Sequence, residues 1–461
     1  MGRKKRKRMS TWKRSICLLF AAYLAAAVAP QPLHAQTPEP RTSGLQTQSP
    51  QAVKAIKKGS VLTLGQCMSI ALSTNPQTVA ARNTFFAAQS RIGEAQSAYY
   101  PQAQWQTDIN HFSSTTVQNQ LAGGTRTNNF ANFATGPSIT QNIYDFGRTS
   151  SQVNSARFNS EASYQSLENV NLQIILNVKT AYYGVLQAQR NVSAAQEVVK
   201  QANQHLVQAE GFFKVGTTPK IDVINAEVTL SNAQLSLIQA RNALQVSWQN
   251  LNNAMGIPDA PEYIIEDNLA YKPYPISFEY ALQTAYKNRQ DLKSSVSTEK
   301  AFEQSLRLAN AGFYPTLSGS AGYTWSGDSL PLDHGWNVGA SVVIPIFSGF
   351  LTKKQVDEAT ANLNASEANV KVLKQQIYLQ NRQAYLNLKQ AESSIATAAV
   401  GLKQAQENLD LANGRYAAGV GSNIEVTDAL TTFSNAQTAY INALYSHKLA
   451  EANLENAMGV R

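Results

Sequence analysis

Residues 415–460 repeat residues 212–257 at a constant offset of 203. Matching positions include Gly216 and Gly419, Ile221 and Ile424, the run Ser231-Asn232-Ala233-Gln234 with Ser434-Asn435-Ala436-Gln437, and Ala254-Met255-Gly256 with Ala457-Met458-Gly459. The same offset pairs residues 138–143 with 341–346, whereas Tyr100-Pro101 pairs with Tyr314-Pro315 at 214, so the first half carries 11 extra residues between these steps. A chain of two equivalent halves folds with internal symmetry, which points to an assembly rather than a pocket enzyme.

The amino terminus sets the compartment. Residues 3–14 hold eight basic side chains and no acid, an apolar stretch follows over 16–29, and Leu33-His34-Ala35 precedes Gln36. That order reads as a secretory signal peptide over 1–35, its apolar run too short for a spanning helix. Its removal takes eight of the 39 Lys and Arg and none of the 30 Asp and Glu, leaving the body near neutral. The basic balance then belongs to the leader, and a nucleic-acid role loses its support. Cys17 leaves with the leader and Cys67 stays alone, so no internal disulfide is expected, and no lipid-attachment cysteine stands at the cleavage point. Residues 36–61, rich in Pro, Thr, Ser and Gln, read as a flexible lead-in.

Proline placement divides the rest. None occurs over 138–218 or 346–461, and these segments are dense in Ala, Gln, Asn, Leu, Glu and Lys, a helical composition. Residues 148–210 and 351–413 would each make a helix of about 95 Å, far too long for a compact domain. Each runs into a Gly-containing turn and a shorter helix, over 219–253 and 422–456, giving two long antiparallel hairpins. Val356, Ala359, Leu363, Val370, Leu373 and Ile377 recur at three, four or seven, which an ordinary antiparallel coiled coil also shows.

Between the helices the period changes to two. Ala103, Trp105, Thr107 and Ile109 alternate with Gln102, Gln104, Gln106, Asp108 and Asn110; residues 133–143, 317–325 and 336–346 alternate more loosely. Such strands suit either a half-buried soluble sheet or a membrane β-barrel, whose tilted strands need about 9–11 residues. Trp105, Tyr144, Tyr323, Trp325, Trp336 and Phe347 stand where an interfacial girdle would be. Four strands cannot close a barrel, and open edges are not tolerated in lipid, so membrane strands require several protomers; three give a 12-stranded barrel. The connections over 113–129 and 326–335 would be its outer loops.

The order of elements, the paired Tyr-Pro entries, the strand exits over 141–148 and 344–349, the run Asn288-Arg289-Gln290-Asp291-Leu292 and the turns Val215-Gly216 and Tyr416-Ala417-Ala418-Gly419 together resemble the TolC family of outer-membrane efflux proteins, over residues 62–460. The resemblance implies a mainly α fold with membrane β: a first repeat over 62–257 (strands 101–112 and 130–146, hairpin 148–256), a linker over 258–275, and a second repeat over 276–461 (strands 315–326 and 335–347, hairpin 351–459). It implies a homotrimer whose hairpins form an α-barrel across the periplasm beneath a shared transmembrane β-barrel with four strands per protomer. It also implies a passive exit duct in the outer membrane of a Gram-negative-type cell, serving an efflux pump or type I secretion system. The implied partners are a periplasmic adaptor and an inner-membrane pump of RND, ABC or MFS type, with no cofactor and no metal.

By the same resemblance, Val215, Gly216, Thr217, Ala418, Gly419 and Val420 form adaptor-docking tips, and Asp222, Tyr416, Glu425 and Asp428 match periplasmic gate positions. Repeated around a threefold axis, the acids would attract cations. A capping role competes, because Ser422-x-x-Glu425 is a capping box and Asp222 follows a good helix start. Gly421 stands where a gate arginine is found in the family, so the expected latch is a hydrogen bond from Tyr416 to Asp222, with Lys220 or Arg415 as substitute donor. His111, His205, His334 and His447 are scattered and read as surface or strand residues, with no hydrolase, P-loop or zinc motif near them. Cys67, on one helix face with Leu64 and Ala71, reads as core packing. The competing function class is a periplasmic coiled-coil scaffold or surface structural protein.

Overall fold

In the computed structural model, residues 58–118, 124–328 and 331–461 are described. The expected signal peptide, with Cys17, and nearly all of the lead-in lie outside them. A two-residue strand, β1 (Val61–Leu62), precedes α1 (Leu64–Thr74) and α2 (Pro76–Gln96); β2 (Gln102–Gln118), β3 (Gly124–Tyr144), α3 (Arg148–Lys214) and α4 (Lys220–Met255) complete the first half. After β4 (Ile264–Ile265) the plan recurs as α5 (Phe278–Asn288), α6 (Gln290–Asn310), β5 (Thr316–Gly327), β6 (Asp333–Val343), α7 (Leu351–Ala417) and α8 (Asn423–Met458). The paired helices match in length, 67 residues for α3 and α7 and 36 for α4 and α8.

The four long helices stop in one way. Gly216, Gly256, Gly419 and Gly459 take φ between +71° and +77°, a left-handed conformation that glycine adopts without a Cβ clash. At the first turn, the Gly216 N–H donates to the Phe213 carbonyl at 2.9 Å and the Thr217 N–H to the Phe212 carbonyl at 3.0 Å, the paired bonds of a Schellman end; Gly419 and Val420 repeat them on Tyr416 and Arg415. Gly256 has a second constraint: a Cβ there would lie 2.8 Å from the Asn75 Cα. Gly459 stands likewise against Arg289, so each hairpin's return end presses on the kink between two helices of its own half. The Thr74 hydroxyl and the Asn75 amide donate to the Met255 and Ala254 carbonyls at 2.6 and 3.1 Å and fasten the first of these joints.

Every level of the molecule is four elements wide. The strands follow the order β2-β3-β5-β6, antiparallel throughout. Next to the sheet the helices neighbour one another as α2-α3-α6-α7, and beyond the middle as α4-α3-α8-α7, since α3 and α7 run the full length while their partners change. The middle holds the main core, where α1, α3, α4 and the linker bury Cys67, Tyr182, Leu251, Met255, Tyr263 and Leu269. The short parallel pair β1-β4 ties the start of the first half to the linker.

One expectation fails in the first hairpin. The connection placed over 113–129 is mostly strand: the β2–β3 register runs out to Gln118 opposite Gly124, leaving only 119–123 outside the described residues. Thr115, Thr116, Val117, Thr125 and Thr127 are β-branched and favour strand, although the segment's polarity suggests a loop. The second connection is short, between Gly327 and Asp333.

Candidate functional site

Register sorts the sheet into two unlike faces. Trp105 lies opposite Pro137, Ile109 opposite Phe133, Ala103 opposite Ile139; across the next strands Ile139 meets Ala321, Ala321 meets Val338 and Tyr323 meets Trp336. These side chains, with Ala340, Leu317 and Val342, make one apolar face over all four strands. Gln102, Gln104, Gln106, Ser138, Thr140, Ser320, Thr324, Asn337 and Ser341 make the other. The apolar face has no cover among the described residues: Trp105 and Trp336 are each 64 % exposed and Ile109 70 %. Trp105, Tyr323 and Trp325 cluster on it, with Trp105 stacked on Trp325 at 5.9 Å between centroids. A second aromatic group, Tyr144, Phe146 and Tyr314, sits at the helical end, and Phe347 packs on Phe350 nearby. From Tyr314 to Trp325, at about 3.3 Å per residue and a tilt of about 40°, the groups stand roughly 27 Å apart, close to the ~25 Å apolar band of an outer-membrane barrel.

The helical layers are also open at both edges. Ile221, Ile224, Val228, Leu235 and Ile238 on the outer side of α4 repeat in sevens split three and four, and all are exposed. On α7, at the opposite edge, Val372, Leu379, Leu386 and Val400 follow strict sevens, with Ser393 completing the row, and those four are exposed too. These are coiled-coil seams without partners among the described residues. Between the edges, α3, α7 and α8 enclose a concavity of about 1210 Å³ lined with carboxamides, among them Gln173, Gln383, Asn387, Gln390, Asn442 and Asn453. Its two charged groups, Arg289 and Asp291, pair with each other at 2.5 Å.

At the far end, the two turns bring the expected gate and tip residues into one region. Val215 and Val420 are 72 % and 68 % exposed and crown the turns. Tyr416 is buried beneath them, its ring edge-on to His205 at 5.0 Å and to Phe212 at 5.4 Å. The Tyr416 hydroxyl has no hydrogen-bond partner, so the expected bond to Asp222 is absent within the protomer. Burial, then the nearby Asp222 charge, raises the Tyr416 pKa. Neither substitute donor serves Asp222: Arg415 Nε lies 3.3 Å from the Glu425 carboxylate, and Lys220 makes no ion pair among the described residues. Gly421 explains the missing arginine, because a Cβ there would lie 2.9 Å from the Arg415 Cβ and the Tyr416 nitrogen. The capping box is half made. The Ser422 hydroxyl accepts the Glu425 N–H at 3.2 Å, but the Glu425 carboxylate turns to Arg415. Asp428, one turn on, is exposed without an ion pair among the described residues.

Two histidines correct the surface reading. His205 is 3 % exposed near the tip end of α3 and His447 is fully buried on α8 against Tyr271. His205 Nε2 contacts Asn423 Oδ1, and the Asn423 amide donates to the Asp222 carbonyl at 3.1 Å. Sequence offers one hint: at the 203 offset, His205 answers to Asn408, Asn423 to Lys220 and Tyr416 to Phe213, so the repeat breaks where these side chains meet.

An open four-wide slab, with an uncovered apolar sheet at one end and two hairpin tips at the other, defines the class: a protomer of a membrane channel with a helical extension. Residues 67–257 and 281–460 match the family described as outer membrane efflux protein, once per half. Outer membrane protein TolC of Escherichia coli K12 is 26 % identical over 392 residues, covering 81 % of this chain and 77 % of TolC. Outer membrane efflux protein BepC of Brucella suis is 23 % identical over 431 residues, covering 88 % and 89 %. Among solved structures, the Campylobacter jejuni CmeC outer membrane channel superposes with a TM-score of 0.74 at 19 % identity, covering 86 % of this chain and 85 % of CmeC. The open-state MtrE channel of Neisseria gonorrhoeae gives 0.70 at 20 %, covering 86 % and 89 %. The chain belongs to the outer membrane efflux protein family, as an outer-membrane exit duct reaching into the periplasm.

Proposed function

We propose that three copies join edge to edge, β6 of one beside β2 of the next and α7 beside α4, into a 12-stranded barrel continuous with a helical tunnel. The observation that carries this reading is that both edges are unpaired at every level while the sheet exposes a complete apolar face. Lipid covers that face, and the seam of α7 packs into the seam of α4 of the neighbouring copy. The carboxamide-lined concavity faces the conduit, offering hydrogen bonds without net charge to whatever passes. Chemistry is no part of this role; the channel is a passive exit whose cargo is chosen elsewhere.

The hairpin tips form the closed end. Asp222, Glu425 and Asp428, each repeated three times, ring the opening and favour cations, while Tyr416 packs the wall behind them. The exposed Val215-Gly216-Thr217 and Ala418-Gly419-Val420 turns dock a periplasmic adaptor, which links the duct to an inner-membrane pump of RND, ABC or MFS type or to a type I secretion system. Purified protein in planar bilayers tests the reading: discrete cation-selective conductance steps are expected, with selectivity reduced in Asp428→Asn, and a protein that never conducts overturns it.

A further inference from the structure

We propose that His205 is a proton-sensitive pin between the two hairpins, neutral and closed at neutral pH, protonated and released in mild acid. The inference rests on the reading of the tip as a gate. Among the described residues, the hairpins share three polar bridges: Lys179 with Glu455 at 2.6 Å, Gln187 with Asn442 at 2.7 Å, and His205 with Asn423, whose amide continues to Asp222. The first two lie near the middle of the molecule. The third alone joins the hairpins close to the tip, and it holds the N-cap end of α8, from which Glu425 and Asp428 project.

The bridge fixes the proton. The Asn423 amide nitrogen is engaged as a donor to the Asp222 carbonyl, so its Oδ1 faces His205 and requires an N–H on Nε2. Nδ1 is then the bare nitrogen, buried and without a hydrogen-bond partner, with the Tyr416 ring packed edge-on to the imidazole at 5.0 Å. A second proton must go to Nδ1, where no acceptor is engaged. The groups facing the ring from each neighbouring element are Asp222 of α4, Tyr416 of α7 and Asn423 of α8. Glu425 and Arg415 satisfy each other. Burial lowers the His205 pKa; the Asn423 contact and the Asp222 charge work against this without cancelling it.

The sign follows. The packed hairpins favour neutral His205, whereas separated hairpins expose it to water, where histidine titrates near ~6.5. Packing is therefore undiminished above that pH and weakens below it, by up to about tenfold in the opening equilibrium per pH unit and per site until the buried value is passed.

Full-length protein is recorded in planar bilayers at pH 7.5, 6.5 and 5.5 beside His205→Gln, which stays neutral and keeps a donor for Asn423. Open probability of the unaltered channel is expected to rise about threefold or more on acidification, and that of His205→Gln to stay flat. A flat unaltered channel, or a variant that rises equally, overturns the pin. Histidine C2 hydrogen exchange read by mass spectrometry on the unaltered protein gives an independent check that needs no variant. Slow exchange with a midpoint below the free-histidine value is expected, and a midpoint at or above it overturns the pin. Silence at every pH overturns the channel reading itself, an outcome distinct from conductance that ignores pH.

Discussion

Tyr416 shows how far a single side chain departs from its expected part. Its phenol lies beside the right aspartate, yet it serves as an aromatic wedge between His205 and Phe212, with its hydroxyl bonded to nothing. Tyr416→Phe is therefore expected to conduct like the unaltered channel and to change unfolding stability by about 1 kcal/mol or less; a leakier Tyr416→Phe channel would reinstate the hydrogen-bonded latch. Gly421 gives the complementary case. Restoring an arginine there forces a Cβ into the Arg415 and Tyr416 backbone, so Gly421→Arg is expected to lower the melting temperature and raise leak, at a cost of about 1–3 kcal/mol. A tighter, more stable Gly421→Arg channel would show that the tip accommodates the side chain. The turn glycines were legible because they sit at the ends of a repeated pattern. The His205–Asn423 contact spans 218 residues, and no local periodicity carries such a signal; only the mismatches between the two halves mark the place.

Among the elements, helices were the more readable. Long proline-free stretches can hardly be anything else, and the glycines that end them bear a positive φ at each hairpin turn and return. Strands were readable where apolar and polar residues alternate, as in Trp105 to Ile109, and unreadable beyond Phe112, where threonine and asparagine fill both faces. The two faces support a direct test. Val338 belongs to the uncovered apolar face and Asn337 to the polar one. Val338→Lys is expected to destabilise the protein in lipid vesicles by about 2–4 kcal/mol, and Asn337→Lys by less than about 1 kcal/mol, measured by denaturant unfolding. Equal costs would mean that the apolar face does not meet lipid.

At the scale of the molecule, the duplication, the slab and the open edges are one fact seen three ways. A slab four elements wide, built from both repeats, has nothing among its described residues to cover its own α4 and α7 seams or to pair β2 and β6. The sequence displays the duplication, but the number of copies that closes the ring is absent from any single chain. The middle of the molecule supplies the rigidity such a ring needs. Cys67 lies fully buried there, its thiol pushed by burial to about 11, and is expected to resist maleimide labelling until the protein unfolds; fast labelling of the folded protein would show the core to be open. Native mass spectrometry of the detergent-solubilised protein measures the closure most directly. The account predicts a single species of three protomers that falls to monomers when Leu379 and Leu386 are both changed to Glu; a stable monomer of the unaltered protein would contradict it.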